Sequence, residues 1–401
     1  MQSITLSELQ TLAAGLAALA VGTALSRHIK ILERLDIPAP VIGGVLAAVC
    51  VALLRSYTEI EVLFASRLSD FLLLMFFTTV GLSAKLSALK TGGKPLMILC
   101  GITVLMIVAQ NITGVLVATA YGAHPYYGLL IGSISLVGGP GTAAAWAIEA
   151  QAVGVTHAAE VAVAGATLAV IAGALVAGPI TGWFVRRHDL KGPASPSKAP
   201  WTEPQPGTTA ETIVPVERTM RTALLIIVAA LIGDTLNTWA RSTGLVLPGF
   251  LTAMLGGVLI TNVADLLKQE LDFGPIERNG QIALQSFLAM YLMSLKLWTM
   301  GAIIVPLVVN VALQIVVTTV VAFTLLFRML GRDYDAALTV GGFIGFGLSS
   351  MAVGMATMDK VASRHGPSPK AFLLITLAGS FFVDLANAMI VQLFLALPMF
   401  P

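Results

Sequence analysis

Charged residues are scarce in this chain, at 11% of its 401 residues against roughly a quarter in an average soluble domain. The basic residues are scattered singly between apolar runs, so no surface for binding nucleic acid is indicated. The two cysteines, Cys50 and Cys100, lie inside apolar segments, which argues against a disulfide framework or a cysteine metal site. The five histidines lack metal-ligand spacing, and no phosphate-binding or catalytic motif is present. We therefore expect no enzyme activity and no organic cofactor.

Long apolar segments are what the sequence has instead. Hydrophobic residues make up 57% of it, and ten segments approach the ~20 residues that cross a bilayer. These predicted spans lie at about 9–26, 38–54, 69–86, 95–119, 158–184, 220–240, 246–262, 281–299, 302–328 and 370–398. A polar, proline-rich linker at 186–218 separates residues 1–185 from residues 219–401. We predict an all-α polytopic membrane protein with five spans in each half.

The two halves resemble each other in sequence. The pattern of Pro40–Gly44 recurs at Pro248–Gly257, and "SAKL" at Ser83–Leu86 recurs as "SLKL" at Ser294–Leu297, with nearly equal spacing. An odd number of spans per half turns the second half upside down in the membrane, which gives two inverted repeats. With the termini outside, the Lys and Arg residues left outside are only Arg55, Arg67, Arg241 and Lys296. The positive-inside rule therefore places the linker in the cytoplasm.

Two apolar stretches that are broken by glycines remain, at 126–150 and 336–358, each between the fourth and fifth span of its half. We interpret each as a re-entrant hairpin, because irregular backbone at membrane depth requires protein or a wet cavity around it. Helix N-termini and free carbonyls at such tips suit a carboxylate and a small cation. The alternative is that these glycines only permit close helix packing. The predicted substrate-binding residues are Gly138, Gly139, Gly141 and Thr142 at the first tip, and Gly345, Gly347, Ser349 and Ser350 at the second.

Polar side chains inside the spans complete the candidate site. A charge such as Asp384 costs roughly 3 kcal/mol inside a bilayer unless it faces a partner or a wet cavity. Ser380, Asp384 and Asn387 share one helical face, which could supply oxygen ligands to sodium or could serve packing specificity. The amides of the fourth spans could equally be interhelical hydrogen-bonding groups. The ion-binding candidates are Ser380, Asp384, Asn387, Gln110, Asn111 and Gln314.

Seven stretches together are specific for one family. They are "IPAPVIGGVLAA" at Ile37–Ala48, "GSISLVGGPGTAAAW" at Gly132–Trp146, "HAAEVAVAGATL" at His157–Leu168, "SLKLW" at Ser294–Trp298, "DYDAA" at Asp333–Ala337, "GFGL" at Gly345–Leu348 and "FFVDLANAMIV" at Phe381–Val391. Over essentially its whole length, the chain resembles the bacterial sodium/glutamate symporter family. The resemblance implies sodium-coupled import of glutamate by alternating access, in a homodimer in the inner membrane with both termini in the periplasm.

The chain departs from the family pattern at both predicted tips. Where the family usually has Ser-Gly-Gly-His-Gly-Thr, Val137–Thr142 reads "VGGPGT". The usual Gly-His-Cys is replaced at Gly342–Ile344, and the usual Thr-Pro-Thr at Met351–Val353. Because these departures lie at the predicted binding site, the resemblance does not determine the substrate or the number of sodium ions bound. It still implies the same fold and a transport function. Two alternatives stay open: a carrier for another small carboxylate, coupled to protons through Asp384, and a passive channel.

Overall fold

The computed structural model describes residues 2–29, 32, 37–58, 60–88, 92–190, 216–243, 247–269, 271–296 and 304–400. Most of the predicted linker at 186–218 lies outside these residues. The chain is almost entirely helical, as predicted. One small sheet departs from the all-α prediction, because strands β1 (Gln2–Thr5) and β2 (Ile60–Leu63) pair in parallel.

The first half forms helices at its five predicted spans and at the glycine-broken stretch. They are α1 (Glu8–His28), α2 (Ala39–Thr58), α3 (Arg67–Leu82), α4 (Gly93–Ala120), α5 (Pro125–Leu129), α6 (Gly139–Ala152) and α7 (Ala158–Arg187). A capping box at Ser7 starts α1, because the Ser7 side chain accepts from Gln10 N–H while the Gln10 side chain accepts from Ser7 N–H. A π-helical turn at Leu130–Ile134 follows α5.

The second half is also helical. Its helices are α8 (Val216–Ser242), α9 (Gly249–Leu266), α10 (Phe273–Met293), α11 (Ile304–Val321), α12 (Tyr334–Leu348), α13 (Met351–His365), α14 (Pro369–Leu377) and α15 (Val383–Leu395). Helix α11 continues through a π-helical turn at Ala322–Leu326 to Phe327–Met329. A third π-helical turn, Ala378–Phe382, joins α14 to α15. The sequence pattern did not predict these turns.

Among the described residues, seven helices are long and apolar enough to cross a membrane: α1, α2, α4, α7, α8, α9 and α11 with its continuation. The prediction of a multi-pass membrane protein is therefore confirmed. Helix α3 has only 16 residues, and the first turns of α10 carry the charged pair Glu277 and Arg278. The count of ten spans stays a prediction.

The helices pack as two bodies. Helices α1, α2 and α3 pack with α8, α9 and α10, and we call this group the six-helix body. Helices α4 to α7 pack with α11 to α15, and we call this group the hairpin body. The two bodies meet where α6 contacts α10 and where the turn Ala378–Phe382 contacts α3.

Glycines permit close helix crossings in the six-helix body. A Cβ added at Gly43 of α2 would lie 1.9 Å from the Ala18 carbonyl oxygen of α1. A Cβ added at Gly256 of α9 would lie 2.3 Å from the Ala229 carbonyl oxygen of α8. Both distances are far below van der Waals contact, so these helices can approach only at glycine. For these two glycines the packing role, and not a ligand, explains the residue.

Candidate functional site

Helices α5 and α6 form a first broken helix pair, and the chain turns between them at the predicted glycine cluster. Gly132 departs from helical geometry, with φ −87° and ψ −134°, and α6 then begins at Gly139, whose φ is +68°. Glycine is required at residue 139, because a left-handed φ is strained for residues with a Cβ. Pro140 follows within the first turn of α6, where its missing N–H costs no helix hydrogen bond. The sequence "GGPG" therefore builds a helix N-terminus with open backbone in front of it.

Helices α12 and α13 form a second broken helix pair, and the break between them lies beside the break of the first pair. Helix α12 stops at Leu348, Ser349 and Ser350 have extended φ values, and α13 begins at Met351. A Cβ added at Gly139 would lie 3.5 Å from the Ser349 carbonyl oxygen, so the two tips are in contact. The N-termini of α6 and α13 therefore converge on one point.

A cavity of about 660 Å³ lies at this point, between the hairpin body and the six-helix body. The hairpin body contributes Gly138, Gly139, Pro140, Gly141, Thr142, Ser350, Met351, Gly379 and Asp384 to its lining. The six-helix body contributes the polar residues Thr79, Ser83, Glu277, Gln281 and Gln285, among others. Among the described lining residues there is no Lys or Arg. An anion in this cavity would therefore be held by backbone N–H groups and helix N-termini.

Sequence reasoning missed the face of α10 that lines this cavity. Glu277, Gln281 and Gln285 follow one another at intervals of four residues, which places them on one side of the helix. That spacing indicates a polar helix face, but it does not indicate which part of the chain the face opposes, because the residues of the hairpin body across the cavity are distant in the sequence. Thr79 of α3 and Ser83, which follows it, were missed for the same reason.

The predicted ion-binding residues separate into two groups. Asp384 lines the cavity in the first turn of α15, whereas Asn387 is fully buried and is not among the lining residues. The Ser380 side chain lies outside the described residues. Gln110, Asn111 and Gln314 are also fully buried and do not line the cavity.

The buried amides bind the backbone where it is broken. Gln110 Nε2 donates to the Gly347 carbonyl oxygen at 2.7 Å, beside the second tip. Asn310 Nδ2 donates to the Ile131 carbonyl oxygen at 2.6 Å, beside the kink in the first pair. Gln314 Nε2 donates to the Gln110 carbonyl oxygen at 2.9 Å and so joins α11 to α4. The Nε2 groups of Gln110 and Gln314 thus make interhelical hydrogen bonds, whereas their buried Oε1 atoms have no hydrogen-bond partner among the described residues, so the ion-binding role stays a prediction.

Three other buried oxygens form a compact cluster, which we call the Ser133 cluster. Ser133 Oγ lies 2.8 Å from Asn111 Oδ1 and 2.6 Å from Asn387 Oδ1. All three residues are 0% exposed. A hydroxyl has one proton, so it can donate to only one of the two carbonyl oxygens. Neither amide is relieved by exchanging its oxygen and nitrogen, because Asn111 Oδ1 also accepts from Ser133 N–H and Asn387 Nδ2 donates to the Ser133 carbonyl oxygen.

The predicted glycines of the second tip lie outside the cavity lining. A Cβ added at Gly345 would lie 2.5 Å from Gly354 Cα, so this residue permits α12 and α13 to pack together. A Cβ added at Gly347 would lie 2.6 Å from the Met106 methyl carbon. Ser349 is fully buried, and its hydroxyl has no hydrogen-bond partner among the described residues. Of the second-tip candidates, only Ser350 lines the cavity.

The apolar helices, and the cavity that two broken helix pairs line together with the six-helix body, define a multi-pass membrane protein with the build of a carrier. Residues 4–367 match the sodium/glutamate symporter family, and the chain belongs to that family. The family membership predicted from the seven stretches is thus confirmed.

Two curated relatives are similar over nearly the whole chain. The sodium/glutamate symporter of Haemophilus influenzae is 34% identical over 97% of this chain and 97% of its own. The sodium/glutamate symporter of Escherichia coli is 34% identical over 98% of this chain and 99% of its own. Among solved structures, a sodium proton antiporter from Methanocaldococcus jannaschii aligns with a TM-score of 0.41 at 15% identity, over 96% of this chain and 97% of that one.

Proposed function

We propose that this protein is a sodium-coupled symporter that imports glutamate across the bacterial inner membrane by alternating access. The convergence of the α6 and α13 N-termini on a cavity whose described lining residues include no Lys or Arg is the observation that carries the proposal. Membership of the family supports the same conclusion. A coupling cation is needed because glutamate carries a net charge of −1, and moving that charge inward against 100 mV costs about 2.3 kcal/mol.

The proposed architecture is two inverted five-span repeats, each with a re-entrant hairpin. The matched glycine crossings support the repeat, because Gly43 packs α2 on α1 as Gly256 packs α9 on α8. The α5–α6 and α12–α13 pairs are the proposed hairpins. The tips of the two hairpins meet. In the topology derived from the Lys and Arg residues, the first hairpin enters the membrane from the periplasm and the second from the cytoplasm. The homodimer implied by the family resemblance stays a prediction.

The cavity suits an amino acid with two carboxylates. Each helix N-terminus offers N–H groups and a positive dipole end to one carboxylate. Asp384 is the one acidic side chain that the hairpin body places among the described lining residues, and it is available to an ammonium group or to a cation. Gln281 and Gln285 offer uncharged hydrogen-bonding groups from the opposite wall.

We propose the Ser133 cluster as a sodium site. The three oxygens share a single proton, so a small dehydrated cation between them would be favourable. Neutral amide and hydroxyl oxygens are suitable ligands for such a cation. The cluster links α4, the kink of the first pair and α15, the helix that also carries Asp384. Sodium here would therefore fix the first tip and Asp384 in one arrangement.

The cavity reaches only one end of the two bodies. Its lining includes Pro38 before α2, Ser83 after α3 and Glu277 near the start of α10, which all face the cytoplasm in the proposed topology. At the other end the bodies are closed on each other, since the Trp146 and Phe250 rings are 5.3 Å apart. This arrangement corresponds to an inward-facing state of an alternating-access carrier.

Uptake of labelled glutamate into proteoliposomes tests the function. An inward sodium gradient should drive accumulation above the external concentration, and its removal should reduce uptake to exchange. Accumulation driven by a proton gradient without sodium would favour the proton-coupled alternative. Flux that only equilibrates the two sides would favour the channel and would contradict a symporter.

A further inference from the structure

A second cavity, of about 500 Å³, lies on the hairpin body between α7 and α13. Its lining runs from Ala174 to Arg186 along α7 and from Val353 to His365 along α13. At the helical rise of about 1.5 Å per residue, these segments correspond to a groove about 18 Å long. It shares no described lining residue with the proposed transport cavity.

The two ends of this groove differ in chemistry. Arg186, Lys360, Arg364 and His365 line one end, and no carboxylate is among the described lining residues. Arg186, Lys360 and Arg364 are exposed. The other end is apolar and is lined by Ala174, Leu175, Gly178, Pro179, Val353 and Ala356. The groove therefore combines a strongly basic mouth with an apolar channel.

Helix packing does not explain the glycines of this groove. A Cβ added at Gly178 would meet nothing within 4 Å, and one at Gly182 would meet only the Arg186 side chain, at 3.4 Å. By contrast, a Cβ at Gly173, further along α7, would lie 2.7 Å from Ser349 Cβ. Glycines at 178 and 182 keep the surface of α7 low and leave the groove open.

We propose that this groove binds an anionic phospholipid of the cytoplasmic leaflet. The basic mouth lies at the C-terminal ends of α7 and α13, which the proposed topology places at the headgroup level of that leaflet. Basic pockets between helices on the cytoplasmic side suit anionic headgroups, and an apolar channel of about 18 Å accommodates an acyl chain. The phosphate would pair with Arg186, Lys360 and Arg364, and one chain would lie over Gly178 and Val353. The orientation of the groove rests on the proposed topology.

A lipid in this groove would contact the helix that forms the second tip. Helix α13 forms the second tip at its first residue, Met351, and lines the groove from Val353 onward. A bound lipid would therefore hold α13 against α7 and so hold the second tip in place.

Lipid binding to the purified protein tests the proposal independently of transport. The protein would be placed in phosphatidylcholine nanodiscs, and the binding of a fluorescent phosphatidylglycerol would be titrated. We expect K360Q/R364Q to weaken binding roughly 10- to 30-fold, since each basic residue near a membrane surface contributes about 1 kcal/mol. The control R187Q/R328Q removes the same charge from residues outside the groove lining and should bind like the wild type.

A second variant separates a lipid from a free anion. Gly178→Leu fills the apolar channel without changing the charge, in a position that is open in the structure. It should weaken phosphatidylglycerol binding while leaving competition by inorganic phosphate unchanged. Equal binding of phosphatidylglycerol by wild type and K360Q/R364Q, or an unaltered affinity in Gly178→Leu, would overturn the lipid site. Because neither measurement uses transport, failure here would leave the proposed function untouched.

Discussion

At the scale of single residues, Gly139 carries the strictest local requirement in the site. Its φ of +68° excludes a β-branched side chain without strain of roughly 1–2 kcal/mol, and its Cα hydrogens face the second tip. We expect Gly139→Val to lower glutamate uptake by about tenfold or more, because both the tip geometry and the access of substrate to the backbone change.

Gly101→Val is the matched control for this substitution. Gly101 lies in α4, and a Cβ there meets nothing within 4 Å. Both variants should insert like the wild type, Gly139→Val should be destabilised by no more than its backbone strain of about 1–2 kcal/mol, and only Gly139→Val should lose uptake. Unchanged uptake kinetics in Gly139→Val would remove the first tip from the substrate site.

Asp384 is the residue whose charge has the largest expected effect on coupling. Asp384→Asn keeps the shape of the side chain but removes the charge that offsets dehydration of the ion. We expect the sodium half-saturation of uptake to rise about tenfold or more, with a smaller change in substrate affinity at saturating sodium. A variant that exchanges glutamate but accumulates none at any sodium concentration would instead indicate proton coupling. An unchanged sodium half-saturation would exclude Asp384 as an ion ligand.

Ser133 tests the buried sodium site separately from the cavity. Ser133→Ala removes one oxygen of the cluster, and we expect the sodium half-saturation to rise by about tenfold, as for loss of a bond to a charged group. Ser135→Ala deletes an equally buried hydroxyl that only bonds the Ala162 carbonyl and its own helix. A sodium dependence that responds equally to both variants would assign Ser133 a structural role.

At the scale of elements, α10 is the wall that faces both tips. Gln285→Ala removes a neutral hydrogen-bonding group from this wall, and we expect the KM for glutamate to rise about two- to tenfold with the sodium half-saturation unchanged. Ser286→Ala, at the adjacent residue outside the cavity lining, is the control. An unaltered KM in Gln285→Ala would place the substrate away from α10.

The sequence predicted those elements whose cause is local. Helices lie at all ten predicted spans because apolar composition determines them, and the breaks at Gly139 and Ser350 follow from glycine, proline and the interrupted apolar pattern. The kink at Gly132 has a partner far away in the chain, because Ser133 N–H donates to Asn111 Oδ1. The cavity face of α10 is likewise defined by elements that are distant in the sequence. The sequence predicted Asp384 and Asn387 on one helix face. The structure shows that Asp384 lines the cavity, whereas Asn387 belongs to the buried Ser133 cluster, and this difference arises from packing between distant helices.

At the scale of the whole molecule, the inverted arrangement depends on which side of the membrane each segment lies. We predict that single cysteines at Ser3 and Ser363, in a background without Cys50 and Cys100, label from opposite sides of the membrane. Both residues are exposed, so access does not limit the reaction. Labelling of both by a membrane-impermeant maleimide in intact cells would show that the spans are miscounted.

The contact between Gly139 and the Ser349 carbonyl joins two segments that belong to different halves of the chain. A mutation at one tip therefore changes the surface that the other tip must fit, and the two loops cannot drift independently during evolution. Both halves depart from the family pattern that the resemblance implies, at Pro140 in the first tip and at Phe343 with Ile344 in α12, before the second tip. We expect such replacements to be inherited as a set, so that exchanging one tip alone for the common family sequence damages the protein more than exchanging both.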